Sequence, residues 1–332
     1  MWLSSSSVGR KFVMALSGAV LVLFVTFHCL MNSIAIVWPA AYNVICEFLG
    51  ANWYALIASA GLAVFILIHI CYAVMLTLQN RKARGNNPYS VTHRPKDVEW
   101  SSQNMLVLGI VILAFLVVHL IQFWAKMQLQ EIRGAEGAIP PAAGTLFIQE
   151  AFSLVWTPIV YIIGFIALWF HLNHGIWSMF QSVGWDSTVW IPRLKKIACW
   201  WCSIVVLLFI AEGIVFTVKA HQGYYLNDPE LREQYKAMIV PEYEKDFGPG
   251  AVQQLSMAPY DQMVQMVRGQ LQQMQDPQAR QYFAAQQSEE DYDNMVKFLE
   301  NQVAFFDYLE SMPATEAEPA IAPSAGQAPA NK

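Results

Sequence analysis

Five stretches of the chain are apolar almost without interruption, at 11–37, 52–78, 103–126, 151–180 and 197–219, and polar residues crowd the segments between them. About 20 residues of helix cross the hydrocarbon core of a bilayer, and within that core a helix satisfies all its backbone groups internally. Each stretch is long enough, so each predicts a spanning helix. The first run, 12–37, exceeds the 7–15 apolar residues of a cleavable signal and is expected to persist as a span. Beyond His221 the pattern changes to polar stretches of helical periodicity at 253–275 and 288–308, then to a Pro- and Ala-rich end from Met312 that is expected to be disordered. The expected fold is all-α: a five-helix transmembrane bundle over 1–220, an acidic extramembrane helical tail over 221–311 and a disordered end over 312–332.

Composition sharpens this picture. Of the 332 residues 55% are hydrophobic and 14% charged, against about 25% charged in ordinary soluble domains, which argues against a soluble enzyme. Residues 1–220 hold 13 Lys and Arg against 8 Asp and Glu, a net of +5, whereas 221–332 hold 7 against 17, a net of −10. Neither half offers the basic surface of a nucleic-acid binder. Between the spans the cations alternate in density. Arg10, Lys11, Arg81, Lys82, Arg84, Arg94, Lys96, Arg193, Lys195 and Lys196 fall on one side, and Lys126, Arg133 and Lys219 on the other. Ten against three places the N-terminus in the cytoplasm and the C-terminus outside.

Chemistry-bearing motifs are few. The five cysteines lie mostly in apolar runs and read as packing residues, and the lone Cys199-Trp-Trp-Cys202 lacks the second pair of a zinc site. No phosphate loop, dinucleotide fingerprint or Ser/His/Asp signature is present. Histidine is the informative residue: His28, His69, His119 and His171 lie one to each of the first four spans, with His174 three residues after the last. Ionisable groups inside a membrane are costly, and four at one per helix point to function. At about 1.5 Å per residue, His28 and His119 come out about 6–7 Å outside the midplane, and His69 and His171 about 6–8 Å inside it. Two histidine pairs about 12–16 Å apart along the normal match two stacked bis-imidazole haems, whereas a two-histidine set leaves a zinc shell incomplete. Gly18, Gly61 and Gly109 slim three of the helices where the other pair's porphyrin would pass; ordinary close helix packing is the alternative. Depth alone does not choose between His171 and His174.

The opening Gly9-Arg10-Lys11-Phe12-Val13-Met14-Ala15-Leu16-Ser17-Gly18, continuing to His28 and Asn32, resembles the first helix of the cytochrome b membrane-anchor subunit of succinate dehydrogenase or fumarate reductase, the complex II family. With one histidine on each of the next three helices and His171-Leu-Asn-His174-Gly175-Ile176-Trp177, the chain is similar to the single-chain, five-helix, two-haem anchors over about residues 4–220. The resemblance implies a place in a bacterial cytoplasmic membrane, with lipid around the bundle and two b haems. One is held by His28 and His119 and the other by His69 and His171, with His174 beside the second. It also implies a flavoprotein and an iron–sulfur subunit docked on cytoplasmic loops 79–102 and 181–196, and exchange of electrons with quinone, menaquinone in particular.

Quinone chemistry moves two protons with two electrons, so a protonatable group must lie near the quinone. Glu47, just before the second span on the outer side, resembles the acidic residue of an outer menaquinol site. Glu212, inside the fifth span about 6 Å beyond the midplane, is the candidate read from the residues themselves. Trp169 stands where some two-haem anchors carry an acidic residue two positions before the fourth ligand, so transmembrane proton transfer is not implied. The alternatives are the cytochrome b anchor of another respiratory dehydrogenase, such as a hydrogenase or formate dehydrogenase, and a transporter whose histidines line a polar path, although repeats and broken helices are missing.

Overall fold

The computed structural model describes residues 6–50, 53–84, 99–133, 139–247, 255, 257–286 and 288–311, and every regular element among them is a helix. Helix α1 (Ser7–Val37) is capped by Ser6, whose side chain accepts the Gly9 N–H at 2.9 Å. It stops at Trp38 because Pro39 follows, which disfavours the helical region for the preceding residue; Trp38 sits at φ −142°, ψ 83°. The chain continues as α2 (Pro39–Gly50), α3 (Trp53–Arg84), α4 (Met105–His119), a π-helical turn over Leu120–Trp124, α5 (Gly144–Phe152), α6 (Trp156–Ser182) and α7 (Trp190–His221).

Five of these elements, α1, α3, α4 with its π turn, α6 and α7, are long and apolar enough to cross a membrane. The fourth span begins at Trp156 and not at 151, since Phe152 closes α5 and Pro158 lies in the first turn of α6. A proline there forgoes an N–H that has no intrahelical partner anyway, while its ring would clash with the Leu154 carbonyl of a continuous helix. Helices α3 and α7 run past the apolar limits, α3 at its C-terminal end to Arg84 and α7 at its N-terminal end from Trp190. Hydropathy measures the thickness of hydrocarbon, and a helix needs no lipid to continue its ladder.

Helices α6 and α7 pack along each other, α1 lies against α3, α6 and α7, and α4 lies against α6. The outward faces carry Leu23, Ile57, Leu67, Ile110, Ile121, Ile163 and Leu207, each more than half exposed. So large an apolar surface is compatible with lipid around a multi-pass membrane protein and not with water. None of the apolar stretch of α3 is buried within the chain.

Beyond α7 the chain turns at Gly223, in the left-handed region at φ 64°, whose N–H bonds the Ala220 carbonyl at 3.0 Å. A single helical turn over Tyr224–Asn227 and four longer helices follow among the described residues: α8 (Pro229–Phe247), α9 (Tyr260–Met274), α10 (Pro277–Gln286) and α11 (Glu289–Glu310). The polar stretches expected at 253–275 and 288–308 correspond to α9 and α11, while α8 and α10 carry too weak an apolar stripe to be read in advance. Buried Tyr260, Met263, Val264, Val267 and Met274 form the inner stripe of α9. Helix α11 starts with a Ser288–Asp291 capping box and packs Leu299, Phe305, Phe306 and Leu309 inward. Arg268 joins the two helices through Asp307 (2.7 Å) and Glu310 (2.9 Å).

This folded cap rests on α2 and α5. Tyr235 Oη lies 2.8 Å from Thr145 Oγ1 and donates to the Tyr225 carbonyl at 2.9 Å, and Asn43 Oδ1 accepts the Thr145 N–H at 2.9 Å. A side chain at Gly144 would run into Cys46 and Tyr42, so glycine lets α5 close on α2. One buried cluster runs from Cys29, Phe165 and Phe209 of the bundle through Ala220 and Tyr225 to Phe305 and Phe306 of the cap, without a break at residue 220. The end from 312 on, and Arg94 and Lys96 of the loop between α3 and α4, lie outside the described residues.

Phe306 is fully buried at the centre of the cap. Phe306→Ala is expected to cost about 3–5 kcal/mol and to loosen the cap first. Limited proteolysis in lipid nanodiscs should then cut within α8–α11 while the five spans stay protected.

Candidate functional site

The packing of α1 and α4 around α6 and α7 brings His28 and His119 together with ring centroids 5.7 Å apart and planes at 85°. Helices α3 and α6 bring His69 and His171 to 6.3 Å and 69°. Helix depth groups the same residues in pairs, and the ring that His69 meets is that of His171 and not of His174. Aromatic rings wall in the outer pair: Phe24 stacks on His28 at 5.4 Å, Phe209 of α7 lies 6.4 Å from it, and Phe115 and Phe123 flank His119 at 5.9 and 5.3 Å.

Hydrogen bonds engage Nδ1 on one ring of each pair. Ser17 Oγ, which donates to the Met14 carbonyl at 3.1 Å, lies 3.2 Å from His69 Nδ1, an arrangement that suits an Nδ1–H donor. Tyr161 Oη donates to Gln122 Oε1 at 3.0 Å, and so accepts from His119 Nδ1–H at 3.2 Å. Gln122 Nε2 in turn donates to Thr157 Oγ1 at 3.1 Å. A neutral imidazole with Nδ1 protonated keeps its free lone pair on Nε2, the form that binds a metal. Ser17, Gln122, Thr157 and Tyr161 are all buried. Gln122 lies within the π turn, where the Ala125 N–H reaches back five residues to the Leu120 carbonyl at 2.8 Å.

These residues fit a bis-imidazole haem. Two metal–nitrogen bonds of about 2.0–2.1 Å, with the two ring radii, put the imidazole centroids roughly 6.3 Å apart, close to both observed separations. Among the described residues no group of three or more His, Cys, Asp or Glu side chains could hold a metal ion. Two imidazoles therefore suit a metal whose remaining positions are filled by a macrocycle. A Cβ placed on Gly61 or Gly109 meets no atom within 4 Å, so neither glycine serves close helix packing within the chain; at Gly18 it would touch the His69 ring at 3.5 Å. Nδ1 of His171 is buried with no hydrogen-bond partner.

The two carboxyl candidates part company. Glu212 is buried on α7, where its Oε1 accepts from Ser33 Oγ at 2.8 Å and lies 3.9 Å from the Sγ of Cys29, the neighbour of His28. Glu47 is exposed on α2, on the face away from buried Tyr42 and Cys46. Trp169 donates to Ser203 Oγ at 3.1 Å, tying α6 to α7 near the inner pair.

At the end of the bundle away from the cap, His174 Nδ1 lies 3.3 Å from Glu99, which also pairs with Lys195 at 2.7 Å, and Lys195 caps the Trp177 ring at 4.3 Å. The sequence reading had reached His174 without its partners, and it had missed Ser17, Gln122, Thr157 and Tyr161. Gln122 was the visible signal, an amide inside an apolar span; which oxygens it would meet depended on helix packing.

A scan against protein-family models and searches of curated proteins and of solved structures find no match to this chain.

Burial pulls the Glu99 carboxyl upward, but the hydrogen bonds and charges of Lys195 and His174 together outweigh it and hold the group below its usual 4.5. A carboxyl lowered in the folded state stabilises the fold above its unfolded pKa, and this contribution is lost as the pH falls through the folded value. Because Glu99 is 35% exposed, Glu99→Gln is expected to cost less than about 1 kcal/mol at neutral pH. Thermal unfolding in detergent should show the gap between variant and wild type closing as the pH falls below 4.5.

Proposed function

We propose that the chain is the membrane-anchor and electron-transfer subunit of a succinate:quinone oxidoreductase, with His28 and His119 holding an outer b haem and His69 and His171 an inner one. The observation that carries this reading is the meeting of four histidines, one from each of four spans, as two ring pairs with centroids 5.7 and 6.3 Å apart. When bound, a haem with imidazole in both axial positions supplies one-electron transfer and leaves no site for oxygen.

The chain's own residues do the rest. The imidazoles bind, Ser17 and Tyr161 orient one ring of each pair, and the phenylalanines around His28 and His119 exclude water. Quinol oxidation on the outer side needs a group that takes up a proton, and burial beside Cys29 and Ser33 favours Glu212 over exposed Glu47 for that task. Arg81, Lys82 and Arg84 at the end of α3 and Arg193, Lys195 and Lys196 at the start of α7 belong to the cytoplasmic surface on which the flavoprotein and iron–sulfur subunits dock. Menaquinone is the quinone that the resemblance of the chain favours.

Purification of the native complex is expected to give two haems per chain by pyridine-haem quantification, and succinate-dependent quinone reduction. His69→Ala or His171→Ala should remove one spectral component, and His28→Ala or His119→Ala the other, since a haem with one axial imidazole is weakly held. Loss of the same component in His28→Ala and His69→Ala, with the other intact in both, would refute the pairing.

Glu212→Gln removes the ionisable carboxyl while keeping its hydrogen-bonding capacity and size. It should depress quinol-linked turnover strongly, with haem content and dye-linked flavoprotein activity retained. Glu47→Gln should leave turnover near wild type, and the reverse outcome would move the proton acceptor to α2.

A further inference from the structure

We infer that Tyr161, held in place by Gln122 and Thr157, is a positioning residue for His119 that fixes which ring nitrogen is presented as ligand and lowers the reduction potential of the outer haem. The inference rests on the haem reading above and goes beyond it, since the histidines alone would bind with any ring orientation.

The direction of the relay follows from proton counting. Tyr161 has a single hydroxyl proton, and it lies on Gln122 Oε1 at 3.0 Å. The Gln122 amide is oriented with its Oε1 toward Tyr161 and its Nε2 donating to Thr157 Oγ1 at 3.1 Å. The phenol oxygen therefore meets His119 Nδ1, 3.2 Å away, as an acceptor. Thr157 and Tyr161 are four residues apart on α6 and so share a face, and the π turn after His119 carries Gln122 between them. Phe115, Phe152 and Phe165 surround the Tyr161 ring at 5.0, 5.2 and 5.9 Å. Tyr161 itself is 4% exposed, which leaves water little room to replace its hydroxyl.

The inner pair has a different device. Ser17 passes its proton to the Met14 carbonyl of its own helix, so its orientation is local, whereas the Tyr161 relay joins α4, the π turn and α6. An imidazole that donates Nδ1–H to a fixed oxygen is a stronger donor at Nε2 and favours the oxidised metal. Without that oxygen the N–H faces phenylalanine rings and the ligand weakens.

The test is a redox titration of the purified complex, followed optically and by the low-spin ferric EPR signals, with His119→Ala marking the outer component. Tyr161→Phe should retain both haems, shift the midpoint potential of the outer component upward and change its EPR signal, with the inner component unmoved. Gln122→Leu, which frees the phenol proton from the amide, should alter the same component. If Tyr161→Phe loses the outer haem altogether, Gln122→Leu decides alone. Unchanged potential and EPR signal of the outer component in the haem-retaining variants overturn this inference and leave the haem reading standing. A wild-type complex without two haem components overturns both.

Discussion

Inside a bilayer a polar side chain must find its hydrogen-bond partner within the protein, because no water is there to supply one. The arrangement of the five spans follows from that constraint. Lipid is as apolar as leucine, so burying apolar side chains gives little drive for the helices to associate, and packing and interhelical hydrogen bonds carry more of the burden. Among the described residues, bonds that cross between spans include Ser17 to His69, Tyr161 to His119 and to Gln122, Gln122 to Thr157, Ser33 to Glu212, Trp169 to Ser203 and Lys219 to the Ile36 carbonyl. Four of these involve the histidine pairs or the amide beside one of them. Fixing the bundle and building the candidate site are in part the same act.

The two ends of the bundle are finished differently. At one end, Glu99, His174, Lys195 and Trp177 close the gap between the start of α4, α6 and α7 with charges that remain partly in water. At the other end a folded cap continues the buried core of the bundle, with Tyr235, Thr145 and Asn43 tying α8 to α5 and α2. The net charge of −10 beyond residue 220 lies on helices that nonetheless bury Tyr235, Met263, Val267, Phe305 and Phe306. Charge there describes the surface and not the interior.

The outer histidine pair sits between these finishes and close to the cap. Phe152 of α5 and Phe216 of α7 pack on each other at 5.6 Å, and Phe152 packs on Tyr161 at 5.2 Å. The cluster that holds the cap thus reaches the residue that orients His119. Glu212 lies on the same level through Cys29 and Ser33, a buried carboxyl whose hydrogen-bond partners both come from α1.

What the sequence by itself determined is what depends on one helix at a time. Span number, the lean of cations to one side and the depth of each histidine all follow from residue order and a fixed rise per residue. Depth was enough to sort the histidines into two levels, because helix direction alternates and the rise is constant. Contacts between helices obey no such rule. Whether His171 or His174 meets His69 depends on rotation about the α6 axis. That Gln122 turns inward to Tyr161 and Thr157 depends on a π turn that no pattern announces. The polar tail becomes a cap because weak apolar stripes on α8 to α11 add up only when packed against one another and against α2 and α5. Those choices were made by tertiary structure, where a polar group's partner is whatever residue the packing sets beside it.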